Sequence, residues 1–282
     1  MGAAIALRLM SVGHAVTVWN RTGSKTKPIV EGGAKVAESP RELTKACDIV
    51  ITILTDAAAI DATYKGVDGL LSGDVKGKLF IEMSTVRPEV IEKLAATVKE
   101  KGAAMVDCPV GGSTTPAREG KLIGFVGGSA ADIARATPIL DQMCRRVEPV
   151  GAIGSGARMK LAINLPLLVY WQALGEALAL IRSLKLDSSR VIDILSDTSG
   201  GPNVLKSRGP ALAAAMNGKD VTPVTFDVDS IRKDLRTMIE EGRALGVDLP
   251  VTACALAAFD KASEEGLGAK DASALPARYA RR

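Results

Sequence analysis

The sequence predicts an α/β fold, with a doubly wound sheet in the first half of the chain and an all-helical second half. Two patterns carry this prediction. Up to about residue 150, short β-branched and aliphatic runs alternate with helical runs, as expected for parallel strands joined by crossover helices. From Lys160 onward only helical periodicity remains, punctuated by Gly200, Gly201, Pro202, Gly209, Pro210 and Pro223. The change falls in the glycine-rich Gly151–Gly156, so the expected division is a Rossmann-type unit over 1–152 and a helical unit over 153–282.

Each element has its own signal. Residues 3–12 read as a helix ended by Gly13, and Ala15-Val-Thr-Val-Trp19 as a buried strand. A short helix over 40–46 precedes the strand Asp48-Ile-Val-Ile-Thr-Ile-Leu54. Strands at 79–83, 104–107 and 122–127 alternate with helices at 88–101 and 130–143. In the second half the helical runs span 157–184, 187–197, 203–216, 227–245 and 250–265.

Composition excludes several classes of function. Hydrophobic residues make up 47% of the 282 and charged residues 24%, a globular balance. At 3% aromatic, the chain has no array for stacking on nucleic acid, and its core must come from Ala, Val, Leu and Ile. A net charge of +4, from 36 basic and 32 acidic residues, does not imply a polyanionic partner. Cys47, Cys108, Cys144 and Cys254 form no CxxC pair and His14 is the only histidine, so no metal site is expected. Their wide spacing suits reduced thiols and a cytoplasmic setting. The longest apolar stretch, Leu161 to Ile181, contains Asn164, Pro166, Gln172 and Glu176, and so reads as a buried helix rather than a membrane span.

In a dinucleotide-binding unit, the end of the second strand meets the adenosine ribose. An NAD-preferring site usually has a carboxylate there. Here strand 15–19 runs into Asn20-Arg21-Thr22. An arginine can grip a 2′-phosphate that a carboxylate would repel, which favours NADPH over NADH; the alternative is a solvated turn. The chain enters its first helix directly at Met1-Gly2, so the expected first strand and its glycine turn would lie upstream of residue 1.

Ligands of open α/β sheets bind at the carboxyl ends of strands, which singles out Leu54, Thr55, Ser84 and Thr85. Ser84 and Thr85 fit either the nicotinamide ribose or an N-cap for the helix near Pro88. Asp107-Cys-Pro-Val-Gly111-Gly112-Ser113 fits either a carboxylate-binding turn or an ordinary tight turn. Lys160 and Asn164, four apart, share one helix face that continues into an apolar run. Either they are partnered and purposeful there, or they form a solvated first turn. Lys233 and Asp234 near the start of a late helix fit a cofactor contact or a solvated charged face.

Together these segments resemble the β-hydroxyacid dehydrogenase family, which includes 3-hydroxyisobutyrate dehydrogenases and glyoxylate/succinic-semialdehyde reductases and has 6-phosphogluconate dehydrogenase as a distant relative. The resemblance covers nearly the whole chain. Met1-Gly2 looks like the end of the family's glycine-rich opening motif, and Trp19-Asn20-Arg21-Thr22 like its NADPH-type form. Glu82-Met83-Ser84-Thr85 is similar to the segment whose threonine binds the dinucleotide. Asp107 through Leu122 resembles the substrate motif, and Gly156, Lys160 and Asn164 match the catalytic one. Phe226 with Lys233-Asp234 matches a late motif whose lysine contacts the cofactor.

The resemblance implies a small aldehyde or keto acid in an interdomain cleft, its carboxylate on Gly111, Gly112 and Ser113. Lys160 would be general acid/base, with Asn164 fixing the geometry. It also implies a homodimer or homotetramer formed through the helical domain, with no nucleic acid or membrane partner. Two departures stand out. Gly111-Gly112-Ser113 replaces Ser-Gly-Gly or Ser-Gly-Ser, so the first hydroxyl is lost, and Pro166 is expected to bend the helix after Asn164. The alternatives are an imine reductase, against which Lys160 argues, and a non-catalytic dinucleotide-binding protein.

Overall fold

The computed structural model describes residues 1–281. It forms two compact units, Met1–Leu161 and Ala162–Arg282.

In chain order the first unit contains α1 (Gly2–Ser11), β1 (Thr17–Val18), α2 (Lys27–Val30), β2 (Lys35–Val36), α3 (Pro40–Ala46), β3 (Ile49–Thr52) and α4 (Ala57–Lys65). Then follow β4 (Leu79–Glu82), α5 (Pro88–Glu100), β5 (Ala104–Asp107), β6 (Val110–Gly111), α6 (Thr114–Glu119), β7 (Leu122–Gly127), α7 (Ala130–Met143) and β8 (Cys144–Gly151). The long α8 (Ser155–Ile181) begins in this unit. The second unit continues with α9 (Ser188–Ser196), α10 (Asn203–Met216), α11 (Val228–Ala244), α12 (Pro250–Ala262) and α13 (Ala274–Arg281). The predicted α/β half and helical half are both present.

The strands form two sheets. β1 and β2 pair in parallel as a small sheet, and the larger one has the order β3-β4-β5-β7-β6, with β8 on β7. The all-parallel expectation is corrected here. β3, β4 and β5 are parallel, but β7 runs antiparallel to β5 and β6. β6 keeps the direction of β5, and the chain reverses through the short α6 to return as β7. Elements with weak local signals, such as β2, β6, α4, α6, β8 and α13, escaped the sequence reading.

β4 is buried on both faces, which is why it reads as an unbroken apolar run. Leu79 and Ile81 face a core with Ile5 and Leu9 of α1 and Leu140 and Met143 of α7. Phe80 faces the opposite core, with Ile60 and Tyr64 of α4 and Ile91 and Leu94 of α5. Side chains that alternate along one strand thus build two separate cores.

In the second unit, α11 buries Val228, Ile231, Leu235 and Met238 at helical spacing. Asp227 caps it by accepting the Ser230 amide at 2.7 Å. α8 runs through Pro166 as one continuous helix of 27 residues. It is long and apolar enough to cross a membrane, and here Leu168, Trp171, Leu174 and Leu178 bury one stripe of it inside the protein.

Candidate active site

The free edges of β1 and β3 face a cleft of about 1100 Å³. Gly2 at the start of α1 lines it, as do Asn20, Arg21 and Thr22 after β1 and Leu54 and Thr55 after β3. These six predicted cofactor positions therefore converge on one cavity. Lys25, which the sequence reading passed over, adds a second cation beside Arg21.

Local hydrogen bonds shape both ends of the cleft. Asn20 Oδ1 accepts the Thr22 amide at 2.9 Å, which curls the turn so that Arg21 stays exposed. On the other strand, the Leu54 amide donates to Ser84 Oγ at 2.7 Å. The N-cap alternative for Ser84 and Thr85 is thereby corrected. Arg87 stands at the N-cap of α5 without a side-chain cap, and the Ser84 hydroxyl joins the turn after β4 to the turn after β3. Thr85 is partly buried beside it.

Beneath these turns lies a polar cluster that the sequence reading did not find. The Glu82 carboxylate is fully buried and accepts from Thr52 Oγ1 at 2.6 Å and from the Ser84 amide at 2.8 Å. Tyr64 Oη lies 2.7 Å from Thr52 Oγ1. Burial pushes the Glu82 carboxyl up, although its hydrogen bonds to Ser84, Thr52 and Tyr64 oppose the shift. Burial also pushes the Tyr64 phenol well up, reinforced by the neighbouring Glu82.

The residues fit a nicotinamide dinucleotide. A helix N-terminus at Gly2 and two cations at Arg21 and Lys25 suit phosphate groups, while the strand edges supply an apolar bed. No carboxylate stands at the end of β1 to repel a 2′-phosphate.

The predicted substrate turn follows β5. Gly111 lies at the end of β6, Gly112 takes a φ of +127° that only glycine adopts easily, and exposed Ser113 precedes α6 without capping it. Lys160 is half-buried in the second turn of α8.

In the second unit, Asn164 is 6% exposed, and its amide donates to Asp234 Oδ2 at 3.5 Å. Lys233 Nζ pairs with Asp234 Oδ1 at 2.5 Å. Asp234 is itself buried, so the solvated-face alternative is corrected at this position. Phe226 is partly buried, and its carbonyl accepts the Ala272 amide at 2.9 Å. Among the described residues, no group of three or more His, Cys, Asp or Glu side chains could hold a metal ion.

Both halves of the chain resemble known proteins. Residues 1–152 match the NAD binding domain of 6-phosphogluconate dehydrogenase. Residues 154–279 match the NAD-binding domain of NADP-dependent 3-hydroxyisobutyrate dehydrogenase. Glyoxylate/succinic semialdehyde reductase 1 of Arabidopsis thaliana is 36% identical over 98% of this chain and 93% of its own length. The 3-hydroxyisobutyrate dehydrogenase of Pseudomonas aeruginosa is 32% identical over 95% of this chain and 92% of its own. Among solved structures, Mycobacterium tuberculosis 3-hydroxyisobutyrate dehydrogenase with L-serine superposes with a TM-score of 0.83 at 25% identity, covering 98% of this chain and 94% of that one.

Proposed function

The chain belongs to the β-hydroxyacid dehydrogenase family of NAD(P)-dependent oxidoreductases, and from that membership we propose that it uses NADPH to reduce a small aldehyde or keto acid to the hydroxy acid, with Lys160 as proton donor. The observation that carries this reading is the convergence of Gly2, Arg21, Lys25 and Leu54 on one cleft, in the same unit as Lys160. Arg21 and Lys25 favour the phosphorylated dinucleotide, because paired cations hold a 2′-phosphate by charge-assisted hydrogen bonds.

Bound in the cleft, the cofactor would supply the hydride. The protein's own groups do the rest. The backbone amides around Gly112 and the Ser113 hydroxyl hold the substrate carboxylate. Without a hydroxyl at position 111, that grip rests on the backbone and the Ser113 hydroxyl. Lys160 Nζ gives its proton to the carbonyl oxygen. Asn164, one helical turn further along α8, orients polar atoms of the substrate and is itself held by Asp234. Lys233 is ion-paired to that same Asp234.

The test is a substrate panel assayed with NADPH and NADH side by side. It contains glyoxylate, succinic semialdehyde, methylmalonate semialdehyde and a cyclic imine. Reduction of at least one carbonyl substrate, faster with NADPH, is the expected result. Activity on the imine alone, or no binding of either dinucleotide, overturns the reading.

A further inference from the structure

We propose that Asp107 is a positioning residue: its buried carboxylate binds the backbone amides at the head of α8 and so fixes Lys160 relative to the Gly111–Ser113 turn. The proposal deepens the reading of Lys160 as proton donor and rests on it.

Asp107 ends β5 and is fully buried. Its Oδ1 accepts the Gly154 amide at 2.8 Å and its Oδ2 the Ala157 amide at 2.7 Å. An anion held at a helix N-terminus satisfies amides that have no partner within the helix, and it lies at the positive end of the helix dipole. The carboxylate is boxed in by two bare glycines. A Cβ at Gly127 would lie 2.5 Å from Oδ1, and one at Gly156 would lie 2.8 Å from Oδ2 and collide with the Phe125 carbonyl. The head of α8 therefore sits against β5 and β7 at a separation that admits no side chain.

Asp107 also opens the chain segment that turns through Gly111–Ser113. The same residue thus belongs covalently to the substrate turn and is hydrogen-bonded to the helix that carries Lys160. A shift of its carboxylate moves one relative to the other. A displacement of an ångström between reacting groups is enough to lower turnover substantially.

The charged neighbourhood is sparse. β7 presents only Gly127 and backbone. On the α5 side Glu92 lies against Gly154, with Arg158 of α8 4.0 Å from it. The thiol of Cys108 next along the chain is pushed well up by burial, and that of Cys144 to about 12, so both stay neutral. Burial outweighs the backbone hydrogen bonds and raises the Asp107 carboxyl from 3.8 to about 6. Above that pH both oxygens accept amide hydrogens. Below it one oxygen carries a proton and accepts poorly, so the amide it holds is displaced without the helix head opening. Because the folded value lies above the ordinary one, protonation of this group favours the folded state. Loss of turnover on acidification is therefore not unfolding by this group.

Two measurements test the proposal. In the parent enzyme at neutral pH, the Gly154 and Ala157 amides should be protected from exchange about as well as mid-α8 amides, although they lie at the helix head. In Asp107→Asn, kcat should fall about 10–100-fold with NADPH affinity retained, and the acid limb near pH 6 should vanish. Gly154 and Ala157 amides that exchange like unpaired helix-end amides, or Asp107→Asn turnover equal to the parent's, overturn the proposal. The exchange experiment needs no variant and so reads out even if Asp107→Asn does not fold. Near-parental turnover in Lys160→Ala would overturn the lysine reading beneath it, a result distinct from either failure above.

Discussion

Thr52 on β3 donates its hydroxyl hydrogen at 2.6 Å to Glu82 on the neighbouring strand β4, and both side chains are buried. Ser84, two residues on, returns its amide to the same carboxylate and takes the Leu54 amide on its hydroxyl. One buried acid therefore organises two of the strand ends assigned to the cofactor.

Thr52→Val keeps the shape of the side chain and removes the donor. The loss should cost about 1–3 kcal/mol, because the partner is a buried charge left short of a hydrogen bond. Burial already raises the Glu82 carboxyl, so its ionised form costs stability above that raised value, and the cost is relieved as pH falls through it. The variant raises it further. Its deficit in urea unfolding should thus be largest near neutrality and shrink on acidification.

Arg21→Glu places a carboxylate where a 2′-phosphate is expected to sit. Losing a charge-assisted bond, and adding repulsion, should raise the KM for NADPH about 10–100-fold. The KM for NADH should hold or fall. Steady-state kinetics with the two cofactors would show it, and an unchanged preference would remove Arg21 from the cofactor site.

Lys160→Ala should lower kcat about 10²–10⁴-fold, the usual contribution of a positioned proton donor. Lys160→Arg should fail to rescue it, since guanidinium does not release its proton in the accessible pH range. Single-turnover measurement of NADPH oxidation distinguishes loss of chemistry from loss of binding.

Asp271 anchors the second unit. It is 3% exposed and accepts from Arg208 at 2.5 Å, from the Ser273 amide and hydroxyl, and from Thr225. Burial pushes its carboxyl up, but Ser273 and Arg208 together outweigh that, so it rests below the usual 3.8. This group's stabilisation is present above the unfolded value and is lost as pH falls through the folded one. Asp271→Ala leaves the Arg208 charge without its buried partner and should cost about 3–5 kcal/mol in thermal or urea unfolding. The double variant with Arg208→Ala should cost less than the sum of the two singles.

Local signals carried far. Pro40–Ala46 and Asn203–Met216 are helices over the span their periodicity gives, and Leu122–Gly127 is a strand as read. Asn20, Arg21, Leu54 and Thr55 were legible as strand-end residues, because strand ends are marked by where an apolar run stops. Ser84 was misread as well as read, since a hydroxyl two residues past a strand suits a ribose, a cap or a neighbouring turn equally. Glu82 gave no signal, because an acid at the end of a strand looks solvated until distant segments cover it.

By itself the sequence determined most of the longer elements, the change from an α/β half to a helical half, the basic strand end at Arg21 and the spacing of Lys160 from Asn164. All of these depend on residues within a few turns of one another. Only the tertiary structure decided that β7 turns antiparallel, that Ser84 bonds Leu54 and that Asp107 grips the head of α8. Each depends on which distant segment lies alongside, and a buried donor or acceptor has no fixed partner until packing excludes water and leaves one within reach.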